Sequence, residues 1–428
     1  MSVRMGEKSS EIPGFHKLSI KERLSVLKDF SDLDDTEMAS LMKTGSLSID
    51  LADRLIENVV STLELPVGIV PNFLINGKDY LIPMAIEEAS VIAACSNAAK
   101  IARASGGFTS ESSDPVMIGQ IQIMVYGNYE EVKRTILDHR SSILEIANSR
   151  SKTLSSMGAG AKDIEIRKLN DRRSSIIIHL LVDVRDAMGA NVVNSMCESV
   201  APYIEEIAQC KTNLRILSNL TPYRISRSKA TFRKELIGGE EIVERIISAY
   251  EMANVDPYRA ATHNKGIMNG IDAVLLATLN DWRSAEANAH TYHELTGNLS
   301  LTSYHKDSDS NLVGEIEIPI AVGIVGGSTN TVKKASIFRK ILNISNSMEF
   351  ANILAATGLA QNFSAIRALS AEGIQKGHMA LHARSLAASV GASGSEIDQI
   401  AGIMVSTNSI SMTKAKELLD EVRKRTNK

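Results

Sequence analysis

The spacing of apolar and polar residues divides the first quarter of the chain into a helical stretch, a hairpin and a second helix. Residues 17–60 place apolar side chains at helical intervals among charged ones, which predicts helices there. The segment 64–83 predicts two strands, because its Asn76-Gly77 pair suits the positive φ angles of a type I′ hairpin turn. The small residues of 89–107 predict a closely packed helix, with Ser90 in its first turn, that ends at two glycines.

Between Pro115 and Leu220 the pattern changes to alternating strands and helices. It predicts a strand, a helix, two strands joined by a polar turn, a second helix and a last strand, at 116–126, 129–152, 162–169, 175–184, 191–209 and 213–220. The order β-α-β-β-α-β is that of a ferredoxin-like unit. A unit of this kind would be an inserted domain.

The remainder of the chain is predicted to be helical, apart from a hairpin and a glycine-rich segment. Residues 239–256 form the first of these helices, whereas 298–320 predicts a hairpin across a polar loop. The glycine-rich VGIVGGSTN at 322–330 interrupts the pattern again. By composition, SVGASGSE at 389–396 predicts a flexible hinge, and the amphipathic segment behind it would form a separate small module.

Composition and charge exclude several classes of function. The chain has 428 residues, of which 44% are hydrophobic and only 4% aromatic, enough to fill two or three domains with aliphatic cores. Its 47 basic and 50 acidic residues give a net charge of -3, so we expect no general attraction to nucleic acid or to an anionic membrane. Any anionic ligand would need a local set of basic groups.

Cysteine usage and the longest uncharged run favour a protein of the cytoplasm. Cys95, Cys197 and Cys210 are too few and too scattered for a disulfide framework, and we expect buried free thiols in a reducing compartment. The start of the chain is polar and shows no secretory signal. The longest uncharged run, at 318–332, is too short to cross a bilayer and is broken by Pro and Gly.

Two stretches carry charged residues in settings that suit a polar pocket. In IEEASVIAA, Glu88 stands at the start of a predicted helix, where an acid also serves simply to complement the helix dipole. In THNKGIMNG, Lys265 is flanked by amides and small residues, and Asp281 follows in NDWR. A lone lysine is more often a solvated surface group, and Asp281 fits an ordinary surface acid equally well. A fixed ammonium in a pocket, by contrast, would stabilise an oxyanion.

Two further stretches suggest a nucleotide site and an acid. DAMGANVVN follows an apolar strand and opens a helix, so free backbone N–H groups and the helix dipole could receive a pyrophosphate. It is not the GxGxxG fingerprint, and it equally fits a structural turn. In IQKGHMALHAR, His378 and His382 are four residues apart, but no third metal ligand accompanies them, and we expect no metal site. Either histidine also fits an ordinary core or surface position.

Together, these stretches resemble the class II 3-hydroxy-3-methylglutaryl-CoA reductases, in IEEASVIAA, DVRDAMGANVVN, DPYRAATHNKGIMNGID with NDWR, and IQKGHMALHAR. The resemblance runs from GFHKLS at 14–19 to the predicted hinge and keeps the family's order of motifs. It implies an α+β fold. A large mixed helical and strand domain (1–114 and 221–378) would bind the substrate, with an inserted ferredoxin-like, non-Rossmann cofactor domain (115–220) and a small helical C-terminal flap (379–428).

The resemblance implies a role for each charged residue of the motifs. Glu88 matches the catalytic glutamate, Lys265 the lysine that stabilises the oxyanion, and Asp281 the aspartate that is hydrogen-bonded between them. His378 matches the acid that protonates the departing CoA thiolate, a task suited to a side chain that titrates near neutral pH. The positions that match substrate contacts, with the arginine pairing with a carboxylate, are Ser90, Arg259 and Asn269.

The cofactor motif matches the family's nicotinamide dinucleotide site at Asp186, Met188, Gly189, Asn191 and Asn194. Members that favour NADH tend to carry an acid on the helix before the GxG turn, where this chain has Ser151 between Arg150 and Lys152. The basic pair would tolerate an extra phosphate, which favours NADPH, or the use of both NADPH and NADH. A solvated helix end explains the same residues equally well.

Two positions depart from the family pattern. Ala89 stands where proline is frequent, and Ser328 stands where alanine or glycine is usual. We expect the chemistry to be intact and the local change to be small. His16 and Lys17 are candidates for contacts with the CoA phosphates by position only.

The implied reaction is a two-step, four-electron reduction of (S)-3-hydroxy-3-methylglutaryl-CoA to (R)-mevalonate and CoA with two NAD(P)H, or its reverse in mevalonate degradation. The implied assembly is a homodimer whose cofactor domain and catalytic motifs meet across the interface, often built into a hexamer. Two alternatives stay open: a reductase of other acyl-CoA or aldehyde substrates, and a non-enzymatic CoA-binding or regulatory protein.

Overall fold

Two β-sheets and the helices packed on them organise the chain. The structure is a computed structural model that describes residues 8–124, 128–170, 175–326, 331–371 and 374–426, without the side chains of 374–381, 425 and 426. The strands are β1 (Val67–Ile75), β2 (Lys78–Ala85), β3 (Phe108–Ser112), β4 (Val116–Met124), β5 (Gly160–Lys168), β6 (Ile176–Asp183), β7 (Lys211–Ser218), β8 (Ile225–Phe232), β9 (Thr302–Lys306) and β10 (Leu312–Pro319). One sheet has six strands in the order β2-β1-β3-β8-β10-β9, and the other has four in the order β5-β6-β4-β7.

Polar caps mark the starts of several helices. Ser19 and Asp34, for example, each form a capping box with the glutamate three residues later. The helices of the described ranges are α1 (Ile20–Ser31), α2 (Asp35–Met42), α3 (Ile49–Ala52), α4 (Val91–Arg103), α5 (Tyr129–Asp138), α6 (Arg140–Ser149), α7 (Lys152–Ser156), α8 (Ala190–Ile207), α9 (Lys234–Ile237), α10 (Glu240–Val255), α11 (Pro257–Ala277), α12 (Trp282–Thr291), α13 (His293–Thr296), α14 (Lys333–Leu342), α15 (Ser347–Ser370), α16 (Ile374–Ser389), α17 (Ser395–Ser406) and α18 (Met412–Thr426). Within these ranges, none of the helices has both the length and the apolar character that a bilayer crossing needs.

The two predicted hairpins are confirmed at opposite edges of the large sheet. Asn76 and Gly77 adopt φ angles of 51° and 77°, and Ile75 pairs with Lys78 across the turn. The second hairpin consists of β9 and β10, which pair antiparallel. Strands β3 and β8 lie between the two hairpins in the sheet.

The core of the large sheet is built on α15, which packs against β3, β8 and α11. The ring of Phe363 on α15 is fully buried and stacks on Phe232 of β8, with 3.6 Å between ring centroids. At Gly358, a Cβ would lie 2.9 Å from Ile271 of α11, so the two helices approach more closely than a larger residue allows. One side of α11 is therefore held in the core, and its other side faces outward.

The small sheet carries α5, α6 and α8 and follows the order β-α-β-β-α-β along the chain, with antiparallel neighbours. Its strands lie within a few residues of the predicted ones. At Gly119 on β4, a Cβ would meet the Cys197 sulfur of α8 at 2.3 Å, so glycine permits the helix to pack on this strand. The domain boundaries at 115 and 220 stay predictions.

The single helix predicted at 129–152 is wrong, because the segment forms α5, α6 and the start of α7. His139 ends α5 and precedes α6 with φ of -99° and ψ of 13°, outside helical geometry. The Ser151 hydroxyl then accepts a hydrogen bond from the Leu154 N–H at 3.3 Å and caps α7. A polar side chain that binds the backbone in this way favours a helix start over continuation.

The hinge predicted at 389–396 is also wrong, because this segment is a tight turn inside a cluster of α16, α17 and α18. Ala392 is buried in the cluster. Arg423 of α18 donates to the Gly391 carbonyl at 2.8 Å and pairs with Glu396 at 3.0 Å. These contacts remove the freedom that the glycine-rich composition indicated. The predicted flap boundary after 378 falls inside α16 and stays a prediction.

Arg224 joins the two sheets. It is 4% exposed, and its guanidinium donates to the carbonyls of Ala187 and Met188 at 3.3 and 3.2 Å, and to the carbonyl of Val322. Burial lowers the pKa of Arg224 to about 10, which leaves it charged at pH 7. The loop after β6 is therefore clamped to the segment after β10.

Replacing Phe363 with Ala removes a fully buried ring, and we expect the free energy of unfolding to fall by about 3–5 kcal/mol. Leu369→Ala, on the same helix but 44% exposed, is the matched control and should change it by less than about 0.5 kcal/mol. Guanidinium unfolding followed by circular dichroism measures both. Equal unfolding midpoints for the two variants would contradict this account of the core.

Candidate active site

An ion pair between α11 and the loop before α4 brings two predicted catalytic residues together. The Lys265 Nζ lies 3.1 Å from the Glu88 Oε2, although 177 residues separate them along the chain. Their side chains are 58% and 43% exposed, so the pair faces an open surface rather than the core. An exposed pair of this kind contributes little to stability, which leaves its ammonium and carboxylate available to a ligand.

Ser90 stands at the start of α4, two residues after Glu88. The sequence analysis placed Ser90 inside the first turn, but it lies one residue before the helix, with φ of 78°. Such a left-handed conformation is uncommon for a residue other than glycine. Its hydroxyl oxygen is shielded from solvent and has no hydrogen-bond partner among the described residues. This hydroxyl and the free N–H groups of α4 suit a carboxylate.

One face of α11 carries Lys265, Asn269 and Asp272, because residues three and four positions apart lie on the same side of a helix. Lys265 is exposed, whereas Asn269 and Asp272 are half-buried. Arg259 is half-buried roughly one and a half turns before Lys265. The helix therefore brings Lys265 and Asn269 together, with Arg259 nearer its start.

A buried polar network holds the opposite face of α11. The Asn264 amide donates to the Leu299 carbonyl at 2.8 Å. The His263 Nε2 lies 2.7 Å from the Thr302 hydroxyl and 3.2 Å from the Asn362 amide nitrogen. Burial lowers the pKa of His263 to about 4, so the ring is neutral at pH 7. These bonds determine which face of the helix points outward.

Asp281 lies beyond the C-terminal end of α11. It caps α12, and its carboxylate pairs with Arg283 at 3.3 Å. The helix between Lys265 and Ala277 alone spans about 18 Å, and Asp281 follows beyond its end. Within one chain, the structure does not bring Asp281 between Lys265 and Glu88.

A cavity of about 560 Å³ lies between the Asp281 turn and the loop after β6. We call it the loop cavity, and its lining includes Met188, Gly189, Asn191, Asp281, Arg283 and Gly323. It unites two motifs that are far apart in the sequence. Lys265 and Glu88 do not line this cavity. The candidate site therefore has two halves in one chain, the loop cavity and the Lys265–Glu88 pair.

Two glycines create the close backbone approach at the loop cavity. Gly189 has φ of 104° at the start of α8, and a Cβ there would lie 2.7 Å from Val184. At Gly323, a Cβ would lie 2.4 Å from the backbone nitrogen of Met188. Neither position tolerates a side chain without a shift of the backbone. The first turn of α8 borders the cavity, and its free N–H groups suit a phosphate.

The remaining residues of the predicted cofactor motif divide into two groups. The Asp186 carboxylate accepts a hydrogen bond from the first residue of α15 at 2.7 Å, and the Asn194 side chain accepts one from the β7 backbone at 2.8 Å. Both bonds are partly buried. Met188, Gly189 and Asn191 instead line the loop cavity.

Arg150 and Ser151 lie between α6 and α7, and Lys152 is the first residue of α7. Ser151 caps α7, whereas Arg150 and Lys152 are exposed. The Met157 carbonyl at the end of α7 accepts from Arg185 at 3.2 Å, which links this helix to the loop after β6. The basic pair is therefore solvated on a segment that contacts the loop after β6.

The other candidates lie in α16, in a short 3-10 helix or outside the described residues. His378 falls in α16, but its side chain lies outside the described residues, as does Ser328. His382 is exposed on α16, and His16 and Lys17 are exposed in a short 3-10 helix. Across the described ranges, no group of three or more His, Cys, Asp or Glu side chains could hold a metal ion.

Three titratable residues on the Lys265 side of α11 and on α12 were not predicted from the sequence. On α12, the His290 Nε2 lies 2.7 Å from the Glu286 Oε2. Glu286 also shares a hydrogen bond with Asp272 of α11. The spacing of four residues between Glu286 and His290 could have predicted the first contact. The second depends on how α12 packs on α11.

The chain is similar to known proteins over most of its length. The family model described as hydroxymethylglutaryl-coenzyme A reductase matches residues 19–383. A 3-hydroxy-3-methylglutaryl-coenzyme A reductase of Archaeoglobus fulgidus is 53% identical over 416 residues, which cover 97% of this chain and 95% of that protein. A probable enzyme of the same name from Borreliella burgdorferi is 33% identical, with 87% of this chain and 85% of that protein covered.

Solved structures agree with these relatives. The class II 3-hydroxy-3-methylglutaryl-CoA reductase of Streptococcus pneumoniae bound to NADPH has 38% identity and a TM-score of 0.80, with 95% of this chain and 100% of that chain covered. A second structure of the Streptococcus pneumoniae reductase has 37% identity, a TM-score of 0.82 and coverage of 96% and 99%. The fold is therefore the mixed α/β fold of the class II enzymes, and the protein is an oxidoreductase. The chain belongs to the hydroxymethylglutaryl-coenzyme A reductase family.

His263 makes the stability of the fold depend on pH. Burial lowers its pKa from 6.5 to about 4, so the unfolded chain binds a proton before the folded one does. The stability from the neutral ring is therefore complete above pH 6.5 and is lost as the pH falls toward 4. We expect the melting temperature of His263→Gln to fall less steeply over this range than that of the wild type.

Scanning fluorimetry at a series of pH values measures this slope. His305→Gln is the control, because His305 is an exposed histidine on β9 and its variant should follow the wild type. Parallel curves for the wild type and His263→Gln would show that the buried ring does not carry the pH dependence.

Proposed function

We propose that this chain reduces (S)-3-hydroxy-3-methylglutaryl-CoA to (R)-mevalonate and CoA in two steps that use two NAD(P)H. The observation that carries the proposal is the Lys265–Glu88 pair, at 3.1 Å on an open face. Reduction of a thioester needs a cation for the developing oxyanion and a nearby proton source, and this pair contains both kinds of group. The same groups would serve the reverse reaction in mevalonate degradation.

The free carboxylate of the substrate suits the start of α4. Ser90 offers a hydroxyl that has no partner among the described residues, and the first N–H groups of the helix are free to bond. Arg259 would add a guanidinium, whose planar fork pairs well with a carboxylate. Asn269, one turn after Lys265, would offer its amide to the substrate.

The loop cavity suits a nicotinamide dinucleotide. The positive φ of Gly189 and the missing side chain of Gly323 leave the backbone open where α8 begins, which fits a pyrophosphate. Met188 and Asn191 would contact the cofactor, and Arg283 places a positive charge in the cavity wall. The bound dinucleotide supplies the hydride for each reduction.

Three residues of the chain would stabilise charge or donate protons during the reaction. Lys265 holds its ammonium beside the thioester oxygen and stabilises the negative charge that develops there. Glu88 is the proposed proton donor to the aldehyde oxygen in the second reduction. His378 would protonate the departing CoA thiolate from the helical C-terminal cluster. This scheme assigns no role to a metal.

A second copy of the chain would complete the site. In one chain, about 18 Å of α11 separates Lys265 from the end of the helix before Asp281, and the loop cavity opens beside Asp281. An isologous dimer brings different residues of its two chains together at two equivalent places. We therefore propose a homodimer, able to assemble into a hexamer, in which Asp281 of one chain joins Lys265 and Glu88 of the other.

Lys265→Ala and Asp281→Ala should each lower kcat by about 100-fold or more, because each removes a charged group from the reacting centre. A heterodimer of one Lys265→Ala chain and one Asp281→Ala chain should regain about half of the wild-type activity, since one of its two shared sites is then intact. The loss of nicotinamide absorbance after addition of the substrate measures the rates.

Two different affinity tags separate the heterodimer from both parent homodimers. A heterodimer that recovers no activity, beside an active wild type, would mean that the two residues act within one chain. A wild type that oxidises the nicotinamide with other acyl-CoA substrates, and not with the hydroxymethylglutaryl thioester, would overturn the proposed reaction.

The cofactor is proposed to be NADPH, or NADPH and NADH alike. Exposed Arg150 and Lys152 beside Ser151 would accept the 2′-phosphate. Ser151→Asp should raise KM for NADPH relative to NADH by about 10-fold, because a carboxylate repels that phosphate. Aspartate is also a good helix cap, so α7 should still form.

Ser156→Asp is the matched control, since Ser156 is exposed at the end of the same helix. Steady-state kinetics with both cofactors measures the ratio of KM values. An unchanged ratio in Ser151→Asp would remove Arg150, Ser151 and Lys152 from the cofactor site.

The proposed cytoplasmic location is supported by the three cysteines. Cys95, Cys197 and Cys210 are free and buried. Burial raises the pKa of the Cys197 thiol to about 12, so it is not ionised at pH 7. Free thiols are typical of a reducing compartment.

A further inference from the structure

Lys265 is influenced by a second carboxylate that the scheme above does not use. Glu286 of α12 shares a hydrogen bond with Asp272 of α11. One turn further along α12, the His290 Nε2 lies 2.7 Å from the Glu286 Oε2. We call these three residues the carboxyl–imidazole cluster.

A single shared proton explains how the two carboxyl groups lie side by side. Burial, together with the bond to Glu286 and its charge, raises the pKa of Asp272 to about 9. The pKa of Glu286 is lowered, chiefly by its bond to His290. At pH 7 Asp272 is therefore the neutral hydrogen-bond donor, and Glu286 is the anion. Two carboxyl groups can share a hydrogen bond only when one of them is protonated.

The Glu286 carboxylate interacts electrostatically with Lys265. Lys265 is among the groups whose charge lowers the pKa of Glu286, so the two side chains attract each other through space. The Lys265 ammonium is bonded to Glu88 at 3.1 Å. The ionisable groups that bear on the cluster are Lys265 and Asp272 from α11, Glu286 and His290 from α12, and, through Lys265, Glu88 from the loop before α4.

We propose that Asp272, Glu286 and His290 position the Lys265 ammonium. Asp272 keeps its proton and donates a hydrogen bond to Glu286, and with His290 it holds Glu286 in place as an anion. Glu286 then attracts the ammonium from one side while Glu88 binds it from the other, so that fewer lysine rotamers compete with the reactive one. This inference rests on the proposed function, because that function assigns the oxyanion to Lys265. The three residues act through Lys265 and are positioning residues.

The cluster also limits the negative charge beside the ammonium. If Asp272 were ionised, its charge would lie against that of Glu286, and this like-charge contact would cost free energy. With Asp272 neutral, Glu286 is the one anion of the pair. The hydrogen bond between the two carboxyl groups and their charges thus agree.

Glu286→Gln should lower kcat by about 5- to 10-fold, because it removes a unit charge near the ammonium. Its KM for the nucleotide should change by less than about twofold, since Glu286 does not line the loop cavity. Asp272→Ala should lower kcat by a similar factor. Asp272→Asn should stay within about twofold of the wild type, because an amide N–H still donates to Glu286 without adding charge.

Glu294→Gln is the matched control. Glu294 also pairs with a histidine, His293, at 3.1 Å, but on the exposed α13. This variant should keep the wild-type kcat and KM. Steady-state kinetics on the full-length homo-oligomer measures all four variants.

Two readouts test the shared proton without any substrate. The bond to Glu286 raises the pKa of His290, so Glu286→Gln should lower it, as measured by NMR of histidine-labelled protein assigned with His290→Gln. Stability linked to the Asp272 proton is complete below pH 3.8 and is lost as the pH rises toward 9. The melting temperature of Asp272→Asn should therefore rise relative to the wild type over this range.

The inference is overturned if Asp272→Asn is as damaging as Asp272→Ala, because Asp272 would then act as a carboxylate. It is equally overturned by a Glu286→Gln variant with wild-type kcat and an unchanged His290 titration. A wild type without activity on the hydroxymethylglutaryl thioester would instead contradict the proposed function. In that case the titration and melting curves still decide whether the proton is shared.

Discussion

The buried hydrogen bonds of α11 determine where each half of the candidate site lies. His263 is neutral and bonded to Thr302 and Asn362, so a rotation of the helix would leave buried polar groups without partners. Lys265, two residues later, must then face outward toward Glu88. The length of the same helix separates Lys265 from Asp281 and the loop cavity. A single packing constraint thus produces both the ion pair and its separation from the loop cavity.

Stability and chemistry use different parts of the molecule. The stacked rings of Phe232 and Phe363 lie in the core, and the buried guanidinium of Arg224 clamps the two sheets. The Lys265–Glu88 pair is exposed and contributes little to folding. A site whose groups are solvated in one chain needs something to exclude water during reaction. In the proposed dimer, the second chain and the helical C-terminal cluster would do this.

Local sequence patterns predicted the secondary structure correctly where a short stretch determines its own conformation. The hairpin at Asn76 and Gly77 is confirmed, because the turn type depends on these two residues alone. The predicted hinge at 389–396 is wrong, because Arg423, more than twenty-five residues away, binds the turn. Ser151 divides a predicted helix by capping a new one. These two errors arise from side-chain contacts that hydrophobic spacing does not record.

The sequence alone determined the family, through motifs whose residue types and order match it, and it identified Glu88 and Lys265 as candidates before any contact was known. Only the tertiary structure decided that these two side chains meet, that Asp281 lies beyond the far end of α11 and that Asp272 is hydrogen-bonded to Glu286. The reason is physical. A motif specifies which groups are available, but a distance or a hydrogen bond depends on how separate segments pack, and that depends on the whole core.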